Sequence, residues 1–239
     1  PESIDRPSWS VAKVSNFQQI GAMIEGLFRD SWGGRTINGK PIDIRRDVMV
    51  LASMKDPAVI GVKAINRTAQ ALVQKRLFDR DVSDREAGFP LIGDRVMQTK
   101  NDKLISLANG EVGIIVRVAY GARDEHGTFV ERDGEGTSEF FAVDFDGREV
   151  FVPRKKNDLA LAYAMTVHKS QGSQAPLVVV VAHYSQQFML RRQLFYTAVS
   201  RSSSTCLVLG DERGIRKSYN DTKSDVRQTL VARFFREIG

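Results

Sequence analysis

The residues 162–174, Ala-Tyr-Ala-Met-Thr-Val-His-Lys-Ser-Gln-Gly-Ser-Gln, gather hydroxyl, imidazole, ammonium and amide side chains in one short stretch. A strongly apolar run, 177–182, follows at once. Polar groups that immediately precede a buried strand collect at the edge of a sheet, where a ligand can meet them. Further on, Phe195-Tyr196-Thr197-Ala198-Val199-Ser200-Arg201 closes on an arginine. A guanidinium carries a fixed fork of donors that suits phosphate oxygens. It also suits the C-terminal end of a helix, where a cation gains roughly 0.3–1 kcal/mol, so its role stays open on local grounds alone. Other chemistries fit less well. His168 has Ser170 and Ser173 nearby, but G-x-S-x-G is missing and so short a separation does not build a catalytic triad. His126, His183 and Cys206 lack metal-ligand spacing. Cys206 is the single cysteine and is followed by Leu207, Val208 and Leu209, so it is expected to be a buried strand thiol in a reducing compartment.

The elements that position these groups follow from periodicity. Ser15 and Gln18 have capping-box spacing, and Ile20, Met23, Ile24, Leu27 and Phe28 predict a helix over 17–30 that Gly33 and Gly34 end. The run 47–51 predicts a central strand covered on both faces. Ala64, Ile65, Ala69, Leu72 and Val73 predict an amphipathic helix. Between 93 and 157 the texture turns to short β-rich runs split by glycine turns. Asp146-Gly147 predicts a type I′ hairpin, and 120–138 is expected to be a long exposed loop. Strand and helix then alternate again: a helix or turn over 161–169, a strand over 177–182, a helix over 187–200 and a strand over 206–209. A last helix is expected to carry Val226, Leu230, Phe234 and Ile238 on one face. The pattern is α/β, one parallel-sheet domain with a small barrel inserted in it.

Composition narrows the partner. The 239 residues include 35 basic and 29 acidic side chains, a net charge of +6, which favours a polyanion. With 42% hydrophobic residues the chain has material for a sizeable core, and no apolar run approaches the roughly 20 residues that span a bilayer. No membrane partner is expected. The chain opens on Pro1, and residues 1–9 are expected to be a linker.

The stretch Thr166-Val167-His168-Lys169-Ser170-Gln171-Gly172-Ser173 resembles motif V, and Tyr196-Thr197-Ala198-Val199-Ser200-Arg201 resembles motif VI, of superfamily 1 DNA helicases of the RecD-like branch. Gly93-Asp94-Arg95-Val96-Met97-Gln98 is similar to the approach to the SH3-like barrel which that branch carries, and 48–54 with Ile65-Asn66-Arg67 is similar to the motif IV strand and helix. The resemblance implies a second RecA-like domain over 10–108 and 158–239, without a P-loop of its own, interrupted by an SH3-like β-barrel over 109–157. It implies that Arg201 is the arginine finger, that Gln171, Gly172 and Ser173 couple the nucleotide cleft to the DNA groove, and that Tyr196 positions the finger. Thr166, His168, Lys169, Ser170, Asn66 and Arg67 are then implied to face single-stranded DNA. ATP and Mg2+ are implied for the intact protein and none for this chain alone, because G-x-x-x-x-G-K-[ST] and a Walker-B acidic pair are absent from the sequence. A missing N-terminal RecA-like domain, recombination-complex subunits and a cytoplasmic, bacterial or phage setting are implied in the same way. The motif IV loop has Lys55 and Asp56 where many relatives have an arginine. The alternative reading is a non-catalytic nucleic-acid-binding module of helicase ancestry. The basic run Arg154-Lys155-Lys156 is a further candidate for phosphate contact, although so short a run is usually solvated surface.

Overall fold

The computed structural model describes residues 8–14, 16–29, 36–37, 39–54, 60–124, 126–134, 136–156, 158–187 and 190–221. In chain order the elements are β1 (Ser8–Lys13), α1 (Phe17–Arg29), β2 (Thr36–Ile37), β3 (Lys40–Pro41), β4 (Val48–Ala52), α2 (Val62–Phe78), β5 (Arg95–Gln98), β6 (Val112–Arg123), β7 (Phe129–Glu131), β8 (Ser138–Phe145), β9 (Arg148–Pro153), β10 (Leu159–Leu161), β11 (Ala164–Thr166), β12 (Ala175–Val181), α3 (Arg192–Val199), β13 (Ser202–Gly210) and α4 (Glu212–Asn220). Short 3-10 turns lie at Val167–Ser170 and Tyr184–Gln186, among others.

Five strands form a parallel sheet in the order β1-β13-β12-β4-β11. The continuous apolar run of β4 is explained by its two covered faces, since alternate side chains go to opposite sides. Val48, Val50 and Ala52 pack with Ile20, Ile24 and Phe28 of α1 and Ile65, Ala69 and Val73 of α2. Met49 and Leu51 pack on the other side with Ala198 and, less buried, Leu194 and Phe195 of α3. The α1 cap is Asn16, whose Oδ1 accepts from the Gln18 amide at 2.7 Å; Ser15, expected to open the helix, lies outside the described residues, as do Gly33 and Gly34.

Several expectations shift. β1 begins at Ser8 and pairs Ser8 with Thr205 and Trp9 with Cys206, so the supposed linker gives up its end to the sheet edge. The helix expected over 187–200 shortens to Arg192–Val199. Just ahead of that stretch, the fully buried Gln186 accepts from the Ser53 amide past the end of β4 at 3.0 Å and donates to the Ile60 carbonyl at 3.2 Å. The helix or turn expected over 161–169 is instead strand β11 and a 3-10 turn, because Ala164–Thr166 pairs with β4. The segment expected to form the last amphipathic helix lies outside the described residues, while α4 was not foreseen.

A second, antiparallel sheet runs β10-β5-β6-β8-β9, with β7 paired to β6. Its core holds Val96, Ile115, Phe141, Val143, Val152 and Leu159. It draws in β5 and β10, on either side of the expected 109–157 boundaries, and among the described residues its two end strands are not paired to each other. Much of the loop expected over 120–138 is a hairpin extension: β6 runs to Arg123 and Phe129 of β7 stacks on Phe151 at 4.0 Å. Asp124 closes that turn by accepting from the His126 and Thr128 amides. The Asp146-Gly147 hairpin has φ of +50° and +90°, the positive pair that a type I′ turn demands. Arg46 bridges the two sheets by an ion pair to Asp144, and Arg95 of β5 donates to the Val48 carbonyl at the start of β4.

Candidate nucleotide and nucleic-acid edges

The register of the parallel sheet decides where the polar stretch goes. Thr166, the last residue of β11, is level with Ala52 at the C-terminal edge of β4. Leu177 of β12 is level with Val48 at the N-terminal edge, and its amide bonds to the Asp47 carbonyl. Residues 167–174 therefore travel the full height of β4 across the α3 face of the sheet. One segment touches both edges.

At the C-terminal edge, Thr166 and exposed Lys169 line a cleft of about 430 Å³ together with Asn66, Arg67, Gly88 and Phe89. Arg67 is exposed, and His168 is exposed on the turn beside Lys169. Two of the expected nucleic-acid residues are otherwise engaged. Asn66 is buried, donating to the Ala164 carbonyl at 2.9 Å and accepting from the Ala164 amide at 2.8 Å. Ala164 sits on the outer strand of the sheet, so the carboxamide takes the place of a neighbouring strand. Ser170 is fully buried and its hydroxyl donates to the Val167 carbonyl at 2.8 Å, closing its own turn.

At the N-terminal edge, Gly172 has φ of +89°, a conformation glycine adopts without strain, and the Ser173 amide donates to the Ser170 carbonyl. Gly172 and Ser173 line a second cavity, of about 300 Å³, with Arg45, Arg46 and Arg95, while Gln171 is exposed beside them. The Ala175 amide donates to the Arg201 carbonyl at 3.1 Å, which joins the end of the motif V stretch to the start of β13. The Arg201 guanidinium folds back on α3, with Nε donating to the Thr197 carbonyl and Nη2 to the Ser200 hydroxyl, both at 3.2 Å. Tyr196, expected to position it, leaves 73% of its surface exposed.

Sequence reasoning missed a buried polar knot between the two sheets. Asp94 accepts from Gln70, Gln74, the Leu91 amide and the Tyr163 hydroxyl at 2.6–3.0 Å. Burial raises its carboxyl above the usual range despite these donors, and burial beside Asp94 pushes the Tyr163 hydroxyl well up. Burial also pulls the Arg95 guanidinium down to about 10. The signal available was Gln70 and Gln74 at i, i+4 on the buried side of an amphipathic helix, a spacing that puts both amides on one face.

Comparison with known proteins settles the family. Residues 161–209 match the UvrD-like helicase C-terminal domain. The RecBCD enzyme subunit RecD of Mycolicibacterium smegmatis is 32% identical over 191 residues, 80% of this chain and 29% of that protein. The chain belongs to the RecD-like superfamily 1 helicases. It corresponds to a C-terminal part of such proteins. The ATP-dependent RecD2 DNA helicase of Deinococcus radiodurans is 30% identical over 72% of this chain and 23% of its own length. The chain thus spans less than a third of either relative. A crystal structure of Pif1 helicase from Candida albicans aligns with 92% of this chain and 57% of its own, at 18% identity and a TM-score of 0.36. No described helix is long and apolar enough to cross a membrane.

Proposed function

We propose that this chain is the C-terminal motor half of an ATP-dependent DNA helicase moving 5′ to 3′, with single-stranded DNA at the C-terminal edge of its parallel sheet and nucleotide at the N-terminal edge. The observation that carries this reading is the path of residues 167–174 from Thr166 at one edge to Ala175 at the other. A displacement at either end is felt at the other through a short, hydrogen-bonded segment. At the first edge, Arg67 and Lys169 hold phosphates, and Thr166 and His168 offer donors to backbone or base. At the second, Arg201 supplies a fixed positive charge to a phosphoryl group. Its present bonds are to a carbonyl and a hydroxyl, neutral partners that a phosphate outcompetes. The residues present fit the outer, γ-phosphate side of a nucleotide and no more, since the P-loop lysine and magnesium carboxylates are absent from the sequence. An N-terminal RecA-like domain must bring those groups. ATP hydrolysis supplies the free energy; this chain holds the strand and senses the phosphate.

The experiment is fluorescence anisotropy of the 239-residue chain with oligo-dT across a salt series. Lys169→Ala and Arg67→Ala each lower the log–log salt slope by about 0.7, one single-strand phosphate's worth. Unchanged slopes remove the nucleic-acid edge from the C-terminal side of the sheet. The second reading, a binding module without catalysis, draws on the folded-back pose of Arg201, which here caps its helix. Under that reading the chain binds oligo-dT as tightly alone as when joined to an ATPase domain.

A further inference from the structure

We propose that Phe89 is a base-stacking platform, and that the DNA track continues past it into a second cleft against the antiparallel sheet. The inference rests on the single-stranded DNA reading above and adds a subsite to it. Phe89 is 59% exposed and lines both the 430 Å³ cleft at the C-terminal sheet edge and an adjoining cleft of about 370 Å³. An exposed phenylalanine is ordinary when its loop is loose, but this loop is fixed from below. Gln70 accepts from the Gly88 amide at 2.9 Å and donates to the Phe89 carbonyl at 2.6 Å. Gln74 donates to the Ile92 carbonyl and Asp94 accepts from the Leu91 amide. These three side chains are at most 1% exposed. A buried polar network therefore holds the backbone on both sides of Phe89 while leaving the ring outside.

Charge on either side of the ring suits a phosphodiester chain. Arg67 and Lys169 stand in the first cleft. Gly88, at φ of +92°, lets Arg67 lie close, because a Cβ there would sit 3.3 Å from the Arg67 Nε. Arg85 and Arg154 stand in the second. The carboxylates of that cleft carry their own cations: Glu86 pairs with Arg80, and Asp158 with Lys100 at 2.9 Å. Arg154 is held by Glu139 at 3.0 Å and lies over the Phe141 ring, half-exposed. An aromatic ring flanked by cations and apolar walls such as Pro90 and Pro153 matches the stacking-plus-phosphate pattern of single-strand binding.

The test is anisotropy of the 239-residue chain with oligo-dT and with an oligonucleotide of the same length in which the bases are replaced by abasic residues. Stacking is worth about 1–3 kcal/mol per base, so Phe89→Ala weakens oligo-dT binding about fivefold or more. Phe89→Leu, which keeps an apolar side chain at an exposed position, weakens it similarly, and Phe89→Trp binds as well as the parent. On the abasic strand the Phe89 variants and the parent bind alike, which a merely structural role does not produce. Arg85→Ala and Arg154→Ala each lower the salt slope by about 0.7. Binding of Phe89→Ala within twofold of the parent, while Lys169→Ala is weakened, overturns the platform and leaves the DNA edge standing. A Phe89→Ala loss that persists in full on the abasic strand also overturns it. Failure of the parent chain to bind oligo-dT at all overturns both.

Discussion

Replacing Asn66 by alanine separates two roles that the sequence alone confounds. As a DNA ligand, Asn66 can be removed at little cost to stability. As the clamp on β11, it cannot. Its carboxamide makes two bonds to the backbone of Ala164, at 2.9 and 2.8 Å, and Ala164 is 1% exposed. Removing it leaves a buried N–H and a buried C=O on the outer strand without partners, at about 1–3 kcal/mol each. Alanine's better helix propensity returns about 0.5 kcal/mol within α2. The net expectation is a loss of about 1.5–5.5 kcal/mol, a large part of the roughly 5–15 kcal/mol that holds a domain together. Urea unfolding followed by circular dichroism reads this as a midpoint lower by about 0.5–1.8 M, for a denaturant slope near 3 kcal/mol/M. A change below about 0.5 kcal/mol accompanied by weaker oligo-dT binding would instead make Asn66 a DNA ligand.

Other outcomes follow from single groups. Asp144 is held below the usual carboxylate range by its bond from Arg46 and by the Gly147 amide. A depressed folded pKa means the stabilisation is present above the unfolded value and is lost as pH falls through the folded one. Arg46→Met should therefore flatten the acid limb of stability below about pH 4, measured by urea midpoints against the parent; an unaltered limb contradicts the bridge. Burial pushes the Cys206 thiol up to about 11, so at pH 8 the native protein should react slowly with a thiol-specific disulfide reagent and quickly once unfolded. Prompt native labelling would show an accessible thiolate instead.

What was legible in the sequence was what repeats or stands together. β4 and β12 announce themselves because both faces of the parallel sheet are apolar, so their runs are nearly unbroken. The Asp146-Gly147 turn is legible because few residue pairs tolerate two positive φ values. The polar stretch was legible as a site but not residue by residue. Nothing in the spacing of Asn66, Ser170 and Thr166 tells which polar group turns inward to satisfy backbone and which stays in the cleft; that depends on β11 being an outer strand. The β6–β7 extension was hidden for a related reason. Asp124 sets the turn through bonds to main-chain amides, and periodicity is blind to them. Phe89 was invisible because its meaning lies in an exposed ring on a fixed loop.

The most direct test of the central claim is ATP hydrolysis by the natural gene product that carries this chain, with and without single-stranded DNA, for the parent and for Arg201→Ala. The expected result is DNA-stimulated hydrolysis in the parent, a loss of about a thousandfold or more in the variant, and oligo-dT affinity of the variant within twofold of the parent. Hydrolysis that survives the substitution, or a parent that binds DNA and hydrolyses nothing, contradicts it.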